Sequence, residues 1–294
     1  MTTATANLTP CESAGNASDH AGTGRPHANN IDLFGLTHNG IARTQNEDQF
    51  LIASLHKSLN VHSSSLSVDQ LGDLRGAAQG YLFMVADGVG GRPDGDIASG
   101  TAVRSVAHYV AHCLHCYEAQ HSKHEEAQFL QELQKAMLDG DKHVREEAAG
   151  TATTLTMVMA IWPRAYLIHV GDSRCYRLRN NVLELLSTDQ TMAAALVEAK
   201  ALTPLQAEKS QWRDVLMSAL GGSETTPITV PTNIEWNDVM LLCTDGLTKH
   251  VTDDELQTAL QLRHSAEHTV RDLVQLALDR GGSDNVTAIV GRLQ

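Results

Sequence analysis

Two short apolar runs in this chain end in the same way: Phe83-Met84-Val85-Ala86 runs into Asp87-Gly88, and Leu241-Leu242-Cys243-Thr244 runs into Asp245-Gly246. Each reads as a buried strand that delivers a carboxylate at its mouth, followed by a residue that permits a sharp turn. A third aspartate, Asp284, stands in Gly282-Ser283-Asp284-Asn285 just before an apolar run at 286–290, and the pair Glu47-Asp48 precedes a run starting at Gln49. A fold that brings these ends together places four or five carboxylates in one small volume. Like charges that close stay ionised in a low-dielectric site only with cations between them. All-oxygen ligation selects hard ions, Mg²⁺, Mn²⁺ or Ca²⁺, and two of them commonly sit about 3.5–4 Å apart around a shared water, which is then the obvious nucleophile. A single Asp-Gly pair is an ordinary turn. Only the whole set of acidic strand ends implies a metal centre.

The remaining pattern is that of an α+β chain. Apolar runs bounded by turn residues predict strands at 49–53, 81–86, 153–161, 165–170, 175–179, near Leu183, at 239–243 and at 286–290. The links between those of the 153–185 block are too short for parallel crossovers, so pairing there is antiparallel. After Pro93, Ala98, Ala102, Val106, Tyr109, Cys113 and Cys116 recur along one helical stripe, and a second helix is expected over 125–147. Two short helices are expected within 192–209, where Thr203-Pro204 supplies an N-cap and a proline at the first helical position. Thr252 and Glu255 form a capping-box signature, and the last helix, bearing Val270, Leu273, Val274 and Ala277, stops at Gly281-Gly282. Residues 1–30 carry almost no large apolar side chains and are expected to be a flexible tail. The polar, Ser-rich stretch at about 56–79 is expected to be an inserted surface loop. One domain is expected over 31–294.

Composition narrows the function classes. With 42% hydrophobic residues the chain of 294 can bury a sizeable core, and its net charge of −13 argues against a sequence-independent grip on nucleic acid or an anionic membrane. No run approaches the length of a membrane span, and the first residues lack a secretory pattern, so a cytoplasmic location is expected. Five scattered cysteines fit reduced thiols. Cys113-Leu114-His115-Cys116 lacks a second pair at zinc-site spacing and reads as core packing. The loop Gly88-Val89-Gly90-Gly91 fits no nucleotide fingerprint, and Ser173 lacks the second glycine of a hydrolase elbow.

The ordered set Arg43-x-x-Asn46-Glu47-Asp48, Ala86-Asp87-Gly88-Val89-Gly90-Gly91, Thr153-Thr154-Leu155-Thr156, Gly171-Asp172-Ser173-Arg174, Thr244-Asp245-Gly246 and Gly282-Ser283-Asp284-Asn285 closely resembles the metal-dependent type 2C Ser/Thr protein phosphatases, the bacterial branch most of all. The resemblance runs from about Gly35 to Gly291. It implies a four-layer α-β-β-α sandwich, two packed antiparallel sheets flanked by helices, with a metal cleft at one end. It implies two Mn²⁺ or Mg²⁺ ions: Asp87 bridging both, the Gly88 carbonyl on one, Asp245 and Asp284 on the other, Glu47 and Asp48 acting through bound water. Arg43 falls at the phosphate-binding position, where its planar fork can grip two phosphate oxygens. Asp172 is expected to be structural, binding turn amides and Arg174. The stretch 192–222 corresponds to a flap beside the site.

Three positions depart from the pattern. Val89 stands where eukaryotic members carry a histidine proposed as general acid, and Gln190 where a histidine is common. Lys249 replaces an aspartate that helps hold a third metal, and 146–152 contains no aspartate to partner it, so the third metal is expected to be absent or weak, with the Lys249 ammonium in part of its volume. The expected function is hydrolysis of phosphoserine and phosphothreonine by direct attack of a dimetal-bridged hydroxide. Phosphoproteins are the partners, among them a cognate Ser/Thr kinase and its targets, without nucleic acid or membrane. The alternatives are a catalytically weak relative that binds phosphoproteins as a regulator, and a phosphatase of small metabolites.

Overall fold

The computed structural model describes residues 26–58, 75–89, 94–113 and 123–294, together with positions 61, 63 and 65. Its elements in chain order are β1 (Ile31–His38), β2 (Asp48–Ser58), β3 (Arg75–Asp87), α1 (Gly95–Cys113), α2 (Lys123–Glu147), β4 (Leu155–Ile161), β5 (Arg164–Val170), β6 (Arg174–Arg179), β7 (Val182–Leu185), α3 (Met192–Glu198), α4 (Pro204–Glu208), β8 (Ile228–Asn233), β9 (Val239–Cys243), α5 (Asp245–Thr248), α6 (Asp253–Gln261), α7 (Ala266–Asp279) and β10 (Val286–Leu293). The strands form two five-stranded antiparallel sheets, ordered β1-β10-β9-β6-β7 and β2-β3-β4-β5-β8.

The layering follows from the period of two along each strand. On β3, Leu82, Met84 and Ala86 point to a core shared with Ala98, Ala102 and Val106 of α1 and with Leu133 and Met137 of α2. The alternate residues Phe83 and Val85 point the other way, against Leu242 of β9 and Ile289 of β10, and so form the seam between the sheets. On the second sheet Leu241 and Cys243 face Val270, Leu273 and Val274 of α7. Sheets covered on both faces need apolar residues at consecutive positions, which is why these strands are unbroken apolar runs rather than alternating ones. The result is the expected α-β-β-α sandwich.

Several boundaries differ from those expected. Residues 26–30 do not belong to a tail: Ala28–Asn30 form a 3₁₀ turn leading into β1, and the Asn30 carbonyl accepts from the Gln294 amide. Residues 1–25 lie outside the described residues. The expected loop at 56–79 is in part a hairpin arm, because β2 runs to Ser58 and β3 starts at Arg75, with register shifts at Leu55/His56 and His56/Ser58 that keep the polar arm paired. Most of 59–74 lies outside the described residues, as do Gly90, Gly91 and Cys116. Strands β1 and β8 were not expected. Gly35 interrupts the apolar run of the first, and the second carries Pro231, tolerated because β8 is an edge strand.

Candidate active site

All the acidic positions come to one end of the sandwich. Asp48 opens β2 directly opposite Asp87, which closes β3, while Asp245 starts α5 right after β9, and Asp284 lies just ahead of β10 beside it. Antiparallel neighbours alternate direction, so the mouths of β3 and β9 and the entrances of β2 and β10 share the same edge. Glycines let these segments approach: a Cβ at Gly246 would land in the Asn285 carbonyl, and one at Gly88 in the Gly95 carbonyl. In each case the contact is with backbone, which cannot move aside as a flexible side chain would.

The loops are clamped together by hydrogen bonds. The amides of Ile41 and Ala42 donate to the Gly282 carbonyl at 2.8 and 3.2 Å. Asn285 is the hub: its Nδ2 donates to the carbonyls of Asn39 and Gln45 at 3.1 and 2.8 Å, and its Oδ1 accepts from the Glu47 amide at 2.9 Å. Asn46 Nδ2 donates to Thr37 Oγ1, and its Oδ1 accepts from the Asp48 amide. The Glu47 carbonyl accepts from the Gly88 amide and from Ser99 Oγ of α1. Together these bonds set Arg43, Glu47 and Asp48 against Asp87 and Asp284.

The electrostatics are those of a crowded acidic site. Asp48 is 1% exposed; its Oδ2 accepts from Thr244 and Thr287 at 2.8 and 2.6 Å, while its Oδ1 is buried without a donor among the described residues. Burial, opposed by those two hydroxyls, lifts this carboxyl to about 7. Burial and then the charges of Asp48, Asp245, Asp172 and Asp284 push Asp87 far above the usual carboxylate range. Asp245 is also raised by burial, against the pull of Lys249, and its Oδ1 too is buried without a donor among the described residues. Glu47 is raised by burial, with Arg43 opposing. Asp284 is the exception: burial would raise it, yet Lys249 and Arg43 hold it below its ordinary value.

Two cationic side chains account for that exception. Arg43 Nε lies 2.9 Å from Asp284 Oδ1, and Lys249 Nζ lies 2.8 Å from Asp284 Oδ2 and 2.7 Å from Asp245 Oδ2. Lys249 does not point to open solvent; its ammonium spans the two carboxylates, whose charge outweighs burial and raises its pKa. The donor set fits hard divalent cations. It is all oxygen, it is over-supplied with negative charge, and two of its oxygens, on Asp48 and Asp245, are buried with no hydrogen to take.

Asp172 is a correction to the sequence reading. Arg174 is gripped by Asp189, with Nε 3.0 Å from Oδ1 and Nη2 2.6 Å from Oδ2, and not by Asp172. Asp172 lines the same cleft as Asp245 and Lys249, and burial followed by the Asp245 charge raises its carboxyl to about 8. It is thus a further acidic residue of the cleft. Gln190 is structural: its Oε1 accepts from the Gly171 amide at 2.7 Å and its Nε2 donates to the Thr226 carbonyl. The roles of Thr244, Thr287 and Asn285 escaped sequence reasoning, although all three adjoin the acidic motifs. The 192–222 segment is tied at both ends by the bridges Thr191↔Leu216 and Thr153↔Leu220, and by Asp141, which accepts from the Gly221 amide and Thr225 Oγ1. Among the described residues, Cys175 and Cys243 are buried free thiols away from this chemistry.

Comparison with known proteins agrees with this geometry. The family described as Protein phosphatase 2C matches residues 59–288. The Ser/Thr protein phosphatase PstP of Mycobacterium tuberculosis is 33% identical over 215 residues, 71% of this chain but 40% of its own length, so this chain spans less than half of that relative. The protein phosphatase PhpP of Streptococcus pneumoniae is 30% identical over 208 residues, 70% of this chain and 83% of its own length. The crystal structure of the PstP catalytic domain in complex with two manganese ions superposes with a TM-score of 0.67 at 29% identity, covering 89% of this chain and 97% of that one. With its acidic cleft, its paired antiparallel sheets and these matches, the chain belongs to the protein phosphatase 2C family.

Proposed function

We propose that this chain hydrolyses phosphoserine and phosphothreonine on proteins, as a single phosphatase domain over 31–294, at the cleft formed by Arg43, Glu47, Asp48, Asp87, Gly88, Asp245 and Asp284. The reading is carried by the convergence of carboxylates from four separated segments, with Asp48 Oδ1 and Asp245 Oδ1 buried and unpartnered among the described residues. A folded protein keeps such a cluster at a cost, because desolvated like charges repel, and a passive scaffold gains nothing from it. The relatives named as protein phosphatases, PstP as a Ser/Thr phosphatase whose catalytic domain is seen with two manganese ions, support the same reading.

Asp87, the Gly88 carbonyl, Asp245 and Asp284, with Glu47 and Asp48 beside them, would hold two divalent ions. When bound, such a pair supplies a nucleophilic water of lowered pKa and draws charge from the phosphoryl oxygens. The chain's own residues do the rest. Arg43, half exposed at the rim and already beside Asp284, can swing its guanidinium fork onto two phosphate oxygens and hold the ester in line for attack. Thr244 and Thr287 keep Asp48 oriented, and the Asn285 hub keeps the Arg43–Asp48 loop against Asp87. Val89, exposed where eukaryotic relatives carry histidine, offers no proton, so the leaving alkoxide takes its proton from water. A third metal would be weak: Asp172 offers one carboxylate, but the Lys249 ammonium opposes a further cation beside Asp245.

The substrates would be cytoplasmic phosphoproteins, among them a cognate Ser/Thr kinase and its targets. Among the described residues no helix is long and apolar enough to cross a membrane. The test is turnover of p-nitrophenyl phosphate and of a phosphothreonine peptide with Mn²⁺, by the parent protein and by Asp245→Ala. Activity that collapses in the variant supports the reading, and equal rates in the two proteins would sink it.

A further inference from the structure

Beside the carboxylate cluster lies a groove of about 740 Å³, running between the flap helices α3 and α4 on one side and α5 with the start of α6 on the other. That volume lies in the range of about 300–1,000 Å³ that takes a drug-sized ligand or several side chains. Its floor is shared with the cluster, since Asp245 and Lys249 line both. One wall is apolar, built from Ala193, Ala194, Val197, Pro204 and Ala207 of the flap. The rim is acidic. Glu208 ends α4, Asp214 follows it on the flap, and Asp253 and Asp254 open α6 across the groove, all four exposed.

These rim charges are not neutralised by a close ion pair among the described residues. Among the described residues Glu208, Asp253 and Asp254 enter no ion pair, and Asp214 has only the exposed Arg213 at 3.9 Å. The other cations of the groove are committed elsewhere: Arg174 to Asp189, and Lys249 to Asp245 and Asp284. The flap also presents Leu205, Trp212, Val215 and Met217 to solvent, unusually large apolar surface for a segment of that length.

We infer that this groove is the substrate-recognition subsite, and that it takes the stretch of phosphoprotein next to the phosphorylated residue when that stretch carries Lys or Arg. The inference rests on the phosphatase reading above and adds a substrate class to it. Residues flanking a phosphoryl group held at the carboxylate cluster can lie along this apolar wall. Ammonium or guanidinium groups there would meet Glu208 and Asp214 on one bank and Asp253 and Asp254 on the other. Flanking glutamates would meet like charge on both banks and be rejected. The net charge of −13 adds a field that draws cationic partners in.

The experiment compares three phosphothreonine peptides of equal length, with arginine, glutamine or glutamate at the flanking positions, on the Mn²⁺-loaded full chain. Each rate is divided by the same protein's rate on p-nitrophenyl phosphate. We expect kcat/KM for the arginine peptide to exceed that for the glutamate peptide by about tenfold or more, mainly through KM and shrinking with ionic strength. The Glu208→Lys/Asp254→Lys double variant should bring the ratio close to one. Equal kcat/KM for the three peptides, a preference for glutamate, or a ratio untouched by the double variant would overturn the inference. If p-nitrophenyl phosphate and every peptide are left intact, it is the phosphatase reading that fails. The groove is then judged by fluorescence anisotropy with labelled unphosphorylated peptides: binding of the arginine peptide that the double variant loses supports it, and no binding overturns it.

Discussion

Lys249 is the position where a single substitution reads the acidic site most sharply. Its ammonium lies 2.7 Å from Asp245 and 2.8 Å from Asp284, and the side chain is 23% exposed. At that separation one such pair is worth about 6 kcal/mol in gross Coulomb energy at an effective dielectric of about 20, before the loss of hydration is subtracted. Net values run from about 0.2–1 kcal/mol for exposed pairs to about 3–5 kcal/mol when one member of a buried pair is removed. Lys249 lies between these limits, so Lys249→Met should destabilise the metal-free protein by about 1–3 kcal/mol. At about 2–4 °C per kcal/mol for a large domain, Tm in the presence of chelator falls by several degrees. The same interaction must be broken when a divalent ion takes Asp245 and Asp284, so what the variant loses in metal-free stability it recovers in metal affinity. At 1.4 kcal/mol per tenfold, Mn²⁺ binding should tighten by about tenfold. Thermal melts with and without Mn²⁺, together with calorimetric titration, read both effects. A variant as stable as its parent without metal, and binding Mn²⁺ no more tightly, would refute the reasoning.

The parts of this fold that the sequence displays are those whose physics is local. The buried runs of β3 and β9, the capping box of Thr252 and Glu255, and the proline-initiated helix after Thr203 each depend on neighbours within a few residues. All stand where the pattern puts them. What sequence hides is set by tertiary context. Strand β8 contains Pro231 and is a strand only because its other edge is open, and β1 carries Gly35 because Phe50 and Ile52 of the facing sheet press against it. The acidic site divides in the same way. Asp48, Asp87, Asp245 and Asp284 stand out because each adjoins an apolar run. The partner of Arg174 could not be read, because Asp172 and Asp189 are both close in sequence and only the fold chooses Asp189. The Asn285 hub joins residues some 240 positions apart, beyond the reach of any local pattern.

Three further outcomes follow from the site. Metal-free protein should be more stable at pH 6 than at pH 8: Asp48 and Asp172 have folded-state values of about 7 and about 8, above an unfolded value of about 3.9, so stability falls as pH climbs through that window, and Mn²⁺ should flatten the dependence in chemical-denaturation curves. Asn285→Ala removes three hydrogen bonds worth about 1 kcal/mol each, and should lower both Tm and Mn²⁺ affinity; a variant with unchanged affinity would deny the hub its role in holding the loop. Arg43→Lys keeps the charge beside Asp284 but loses the fork, so it should raise KM for p-nitrophenyl phosphate about tenfold or more while leaving Mn²⁺ uptake nearly unchanged.

Whether carboxylates from separate strands meet to hold a pair of divalent ions is decided by isothermal titration of the chelator-stripped chain with Mn²⁺. Two ions per chain are expected to bind, and Asp87→Asn should abolish the uptake or reduce it to one weak site. No uptake at millimolar Mn²⁺, or uptake that Asp87→Asn leaves intact, would contradict such a site.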